Sequence, residues 1–275
     1  MLRASLTFAF LIASLFCWNA PARGAEFVDF RVETQLYLVG EEKPINEINT
    51  IFRSGFVYDF ITDPSKQRDP ETTIFDALKG RFVVIDPQRH VWTQVSTEAV
   101  KTFSGKIKIA AAGNKDPILN FMATPQFNET TEGSTMVFKS AKGNWMEYRV
   151  RAAPAKSSRV VEQYNECSQW HAQLNVMLNP NTLPPFPRME INKVLAERQL
   201  LPTEVQVTID PKQPGLRQIS LRATHRFQWT LLEPERQRIE EAGRQLAAFR
   251  EVTLEDYNRR GEEETAGKPA AAKRK

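Results

Sequence analysis

"RQISLRATHRFQWTLL", Arg217 to Leu232, alternates without a break. Ile219, Leu221, Ala223, His225, Phe227, Trp229 and Leu231 fall on one side; Gln218, Ser220, Arg222, Thr224, Arg226, Gln228 and Thr230 fall on the other. A period of two places successive side chains on opposite faces of a strand and excludes a helix. At about 3.3 Å per residue such a strand would run roughly 45 Å, well beyond the usual length. A flat sheet of that length is disfavoured, so the strand is expected to bend, coil or break at a bulge. Bending gives the sheet a concave side, and what fills that side is the functional question.

The same alternation recurs upstream. Phe30, Val32, Thr34, Leu36 and Leu38 share one face, and Phe56, Tyr58 and Phe60 share another. "GRFVVIDPQRHVWTQV", Gly80 to Val95, reads as strand, turn, strand, with Asp86 and Pro87 at the first two positions of a type I turn. "STMVFKSAKGNWMEYRV" repeats the plan around Lys142, Gly143 and Asn144. Helical periodicity interrupts these hairpins. Ser96 can cap a helix carrying Val100, Phe103 and Ile107. After Ser158, the residues Val160, Tyr164, Cys167, His171, Leu174 and Leu178 form an apolar stripe that "PNTLPPFP" ends. Met189 to Leu200 predicts another helix, and Pro234 opens a last one carrying Ile239, Ala242, Leu246 and Phe249. Strands dominate and few connections resemble βαβ crossovers. The expectation is an α+β protein built on one large, strongly curved, mainly antiparallel sheet, with several helices covering one face.

The chain begins like an exported protein. Arg3 supplies a basic start, Ala4 to Trp18 an apolar run, and "NAPARGA" a small-residue end, the pattern of a secretory signal peptide. Residues 1–25 are assigned to that leader, 26–258 to a single domain and 259–275 to a disordered charged tail. The apolar run is shorter than the about 20 residues a membrane span needs, and no second run of that kind appears, so the mature chain is expected to have no transmembrane segment. Without the leader Cys167 is the sole cysteine, which rules out an internal disulfide and leaves burial to hold the fold together. Removing Arg3 and Arg23 leaves 35 basic residues against 33 acidic ones, too even a balance for a nucleic-acid partner.

This order of parts resembles the bacterial periplasmic lipoprotein-carrier superfamily, the LolA/LolB-like proteins. The resemblance lies in element order from Phe27 to Leu232, and no residue-level motif is carried over with it. It implies an incomplete antiparallel barrel whose open side is covered by helices, an apolar cavity between them, a lipid or lipoprotein cargo, and a place in the periplasm or cell envelope.

The residues lend that idea independent content. Phe82, Val84, Trp92, Phe227 and Trp229 are expected near such a cavity, with His225 as a polar anchor on an otherwise apolar face. Packed tight, the same side chains would simply be core, and His225 a hydrogen-bonded interior histidine. Cys167 and His171, four apart on one helix face, have a spacing that can place two ligands on zinc, but no further ligand motif accompanies them. Asp59 and Asp63 can be imagined as an acid and base pair, although their flanks read as a strand end and a turn. Hydrolase, zincin, P-loop and dinucleotide signatures are absent, and no cofactor is called for. Two other functions stay open: a ligand-free cell-envelope interaction module using an outer face with Arg217, Arg222 and Arg226, and an enzyme whose site no motif reveals.

Overall fold

The computed structural model describes residues 27–66, 70–179, 182–212 and 217–259. The leader and almost all of the charged tail assigned above lie outside this range. Six strands come first: β1 (Phe30–Leu38), β2 (Asn46–Arg53), β3 (Phe56–Thr62), β4 (Glu71–Asp76), β5 (Arg81–Asp86) and β6 (Val91–Ser96). Helices α1 (Thr97–Ala112) and α2 (Pro117–Ala123) lead to β7 (Phe127–Glu132), β8 (Thr135–Ser140) and β9 (Met146–Pro154). Helices α3 (Ser158–Leu178) and α4 (Phe186–Glu197) precede β10 (Leu200–Ile209) and β11 (Ile219–Gln228). Helix α5 (Glu233–Ala248) and the two-residue β12 (Arg250–Glu251) follow, with helical backbone again at 254–259.

All twelve strands belong to one unclosed sheet, in the order β12-β6-β5-β4-β3-β2-β1-β11-β10-β9-β8-β7. Every pairing is antiparallel except β12 with β6. Two meanders, β1–β6 and β7–β11, are thus joined by the pairing of β1 with β11. Local chemistry sets the turns. Ser54 and Gly55 both have positive φ between β2 and β3, the two-residue hairpin that matches strand twist. A Cβ on Gly55 would lie 2.9 Å from the Phe27 ring, so glycine also makes room for that ring. At the β5–β6 turn the Asp86 carboxylate accepts from the Gln88 and Arg89 amides.

The quoted strand is shorter than its alternation. β11 ends at Gln228, and its register to β1 and β10 is unbroken. The irregularity falls in β10 instead, between Pro202 and Glu204. Leu231 accordingly leaves the face of Phe227 and packs on the other side of the sheet.

Both faces are covered, by different helices. On the concave face Phe30, Val32, Phe52, Val57, Phe75, Phe82, Val84 and Val95 pack against Val100 of α1 and Val160, Val161, Cys167 and Leu174 of α3. Phe30 and Phe82 are fully buried, each contributing on the order of 2–3 kcal/mol by area. The second meander adds Phe138, Tyr148, Val150 and Val205 under Ile118 and Met122 of α2 and Ile191 and Leu195 of α4. The convex face carries α5, whose Ile239, Ala242 and Leu246 cover Ile51, Phe60, Ile74, Val83 and Ile85.

Caps explain the helix limits. Ser96 accepts from the Ala99 amide at the start of α1, as expected, and Ser157 accepts from the Val160 amide at the start of α3. α4 starts at Phe186, earlier than the expected Met189, because Pro187 falls within its first turn, where a missing N–H costs nothing. Its other end comes early too, since Leu200 already belongs to β10. Helix α2, which no apolar stripe announced, is capped by Asp116 with Pro117 next to it.

Candidate functional site

Register places the predicted residues unequally. Phe82 and Val84 lie deep in the concave cluster beneath α3, with Phe82 stacked on Phe75 at 4.8 Å and edge-on to His171 at 5.3 Å. Phe227 and Trp229 join the same cluster as half-buried rings 6.0 Å apart. Tyr164 of α3 meets Phe227 edge-on at 5.3 Å, and the Lys156 ammonium stands 4.6 Å from the centre of the Trp229 ring. Trp92 is the exception: it points to the convex face and packs beneath α5. Along β6, Val91, Thr93 and Val95 alternate with it, so one residue of register separates it from Phe82 and Val84.

Between β3 and α3 the concave interior is polar. Asp59 is 6% exposed, and its Oδ2 accepts from His171 Nδ1 at 2.5 Å. Burial opposes a charged imidazole here, but the Asp59 carboxylate outweighs it and holds the His171 pKa well above its ordinary value. Burial, partly offset by His171, raises the Cys167 thiol. A protonated histidine beside a neutral, buried thiol lacks the free base that a cysteine nucleophile needs. The trio reads as a buried ion pair with a thiol neighbour. Asp63, imagined above as the partner of Asp59, instead holds the amide and hydroxyl of Ser65 in the turn after β3.

Farther along the same face the helices cover less. Cross-strand neighbours Leu38, Leu221, Val207 and Tyr148 make one row, and Leu36, Ala223, Val205 and Val150 the next. Leu36, Leu38, Ile219, Leu221 and Ala223 join none of the three buried clusters, and Leu38 and Ile219 are 44% and 50% exposed. They form an apolar strip running from one end of the concave face towards Thr34 and His225. There the Thr34 hydroxyl meets His225 Nδ1 at 2.9 Å. Burial, reinforced by the positive charge of Arg188, depresses the His225 pKa to about 3, so its ring is neutral at physiological pH.

Arg188, in the first turn of α4, is the residue that sequence reasoning missed. Its charge acts on Tyr148, Tyr164 and His225, which come from β9, α3 and β11. Burial pushes Tyr148 up to about 12, against the pull of Arg188. "PPFPRME" offers no periodic or motif signal that would single out this arginine, because its neighbours are supplied by three distant elements.

No family model and no curated protein matches the sequence. In three dimensions the chain is distantly similar to a crystal structure of a LolA superfamily protein from Nitrosomonas europaea, over 77% of this chain and 89% of that one, at 8% identity and a TM-score of 0.28. The reading of the site rests on its own geometry.

Two grooves elsewhere differ in character. One of about 540 Å³ runs beside α5, where Arg31 is paired with both Glu33 and Glu235, and its wall includes Thr34 and His225. The other, about 390 Å³, lies between the start of α2 and the β8–β9 turn, with Phe121, Trp145 and Lys142 in its wall. The outer-face arginines are engaged as well: Arg222 lies 4.6 Å over the Tyr37 ring and Arg226 is 3.6 Å from Glu33. Among the described residues no helix is long and apolar enough to cross a membrane.

Proposed function

We propose that this protein is an exported, non-catalytic binding protein of the bacterial periplasm or cell envelope, which holds a lipid or lipoprotein-like ligand on the concave face of its sheet. One observation carries the reading: the strip of Leu36, Leu38, Ile219, Leu221 and Ala223 stays outside the buried clusters while continuing into them through Val205 and Val207. An exposed apolar strip on a concave surface offers an acyl chain about 0.8 kcal/mol per buried CH₂. Binding by burial needs no covalent step, in keeping with a Cys167 thiol kept neutral beside a charged His171. The basic start, apolar run and small-residue end of the leader support export.

Native mass spectrometry of the mature protein purified from its exporting compartment, followed by solvent extraction and lipid identification, tests the reading. Stoichiometric lipid, or uptake of added fatty acid or phospholipid, is the expected result. A clean apo mass with no uptake would overturn it and favour a packed interaction module that works through its outer face.

A further inference from the structure

A guanidinium in a protein interior normally has a carboxylate or several acceptors, because desolvating a charge without a partner is costly. Arg188, half-buried in the first turn of α4, has no such partner for one of its nitrogens. Its Nη1 is closed to solvent and has no hydrogen-bond partner, and among the described residues no carboxylate lies within ion-pair distance of its side chain. A second orphan lies within range of the Arg188 charge: His225 Nε2, also closed to solvent and unpartnered, on a ring hydrogen-bonded to Thr34. One turn along α4 from Arg188, the buried Asn192 has an unpartnered Oδ1. Such orphans are uncommon in native interiors and call for a cause.

The surroundings identify the missing partner. In the tautomer in which the Thr34 hydroxyl donates to Nδ1, His225 carries its proton on Nε2, and a donor from β11 joins the guanidinium from α4. The N-terminal end of α4, which has no side-chain cap, adds a positive dipole end. The guanidinium and the helix end suit an anion and oppose a cation. The apolar strip reaches this place directly, since Leu36 and Ala223 lie two residues along their strands from Thr34 and His225.

We infer that Arg188, assisted by His225, is the anchor for an anionic head group, a carboxylate or phosphate, on an amphipathic ligand whose chain lies along Leu36, Ala223, Leu221 and Leu38. The inference rests on the ligand-binding reading above and narrows it to acidic amphiphiles. A planar fork of N–H donors fits a carboxylate or phosphate better than an ammonium does.

The test measures binding of oleate, oleyl alcohol and inorganic phosphate to the full mature protein by calorimetry, for the wild type, Arg188→Met and Arg188→Lys. Hydrogen bonds to a charged group add about 1.5–3 kcal/mol, so the wild type should prefer oleate over the alcohol by about tenfold or more. R188M should reduce that preference below about twofold, and R188K should leave it intermediate. Thermal unfolding without ligand separates anchoring from structure: R188M should melt close to the wild type, because Arg188 is half-buried, no ion pair is lost and Met keeps the packing of the aliphatic stem. Equal affinity of the wild type for oleate and the alcohol would overturn the anchor while leaving the binding reading intact. So would an R188M protein that loses several degrees of Tm and keeps the preference. Failure of the wild type to bind either long-chain probe would overturn the binding reading itself, and binding of phosphate alone would replace the amphiphile with a free anion.

Discussion

The carboxylate of Asp59 lies 2.5 Å from Nδ1 of His171, bridging the sheet at β3 to the helix α3 that covers it. Both groups are largely withdrawn from water, with 9% and 22% of their side chains exposed. Removing one partner leaves the other charged and unpaired in the interior. Asp59→Ala should therefore cost about 3–5 kcal/mol, read as a lower urea midpoint.

The same pair sets a pH dependence. A histidine whose pKa is raised by folding adds stability that is fully present below the unfolded value, about 6.5, and is lost as the pH climbs through the folded value. The stability difference between wild type and His171→Gln, measured by urea unfolding, should be largest near pH 6 and shrink on the alkaline side. A difference that stayed constant to pH 10 would mean that the imidazole is not charged.

His225 works in the opposite sense. Burial, with Arg188 adding to it, depresses its pKa to about 3, so its neutral form is favoured by the fold. The contribution is intact above about pH 6.5 and is lost as the pH falls from there towards 3, because the unfolded chain takes up the proton first. His225→Gln should lose less stability than the wild type between pH 6.5 and 4, and parallel curves would refute the assignment.

Phe82 and Leu38 share a sheet face but not an environment. Phe82 is fully buried between Phe75 and His171, so Phe82→Ala should destabilise by about 3–5 kcal/mol. Leu38 is 44% exposed, so Leu38→Ser should change stability by about 0.5 kcal/mol or less while weakening the uptake of a fatty chain. Thermal melts set beside a fatty-acid displacement assay would separate the two effects, and a Leu38→Ser protein that binds as well as the wild type would remove the strip from the site.

Trp92 offers a control from the far side of the sheet. Because it packs beneath α5, Trp92→Ala should lower the melting temperature and leave oleate affinity unchanged. Loss of affinity in a folded variant would mean that the two faces are coupled.

Much of the architecture follows from local chemistry that a sequence displays. Alternation in Phe30 to Leu38 and Ile219 to Gln228 determined two strands and the face each presents, because a strand's side chains obey a period of two wherever the strand lies. Ser96, Asp86 and Pro234 marked a cap, a turn and a helix start for equally local reasons.

What needed tertiary structure was every relation between distant segments. Alternation alone could not say where β11 stops, nor that Trp92 and Phe82 face opposite ways, since the registers of β5 and β6 set the face of each. It could not place α5 on the convex side, because an amphipathic helix reads the same on either face of a sheet. The meeting of Asp59 with His171, and of Arg188 with Tyr148, Tyr164 and His225, depends on charges interacting through space across elements far apart in the chain. Periodicity carries no information about such meetings; only the folding of α3 and α4 onto the concave sheet decides them.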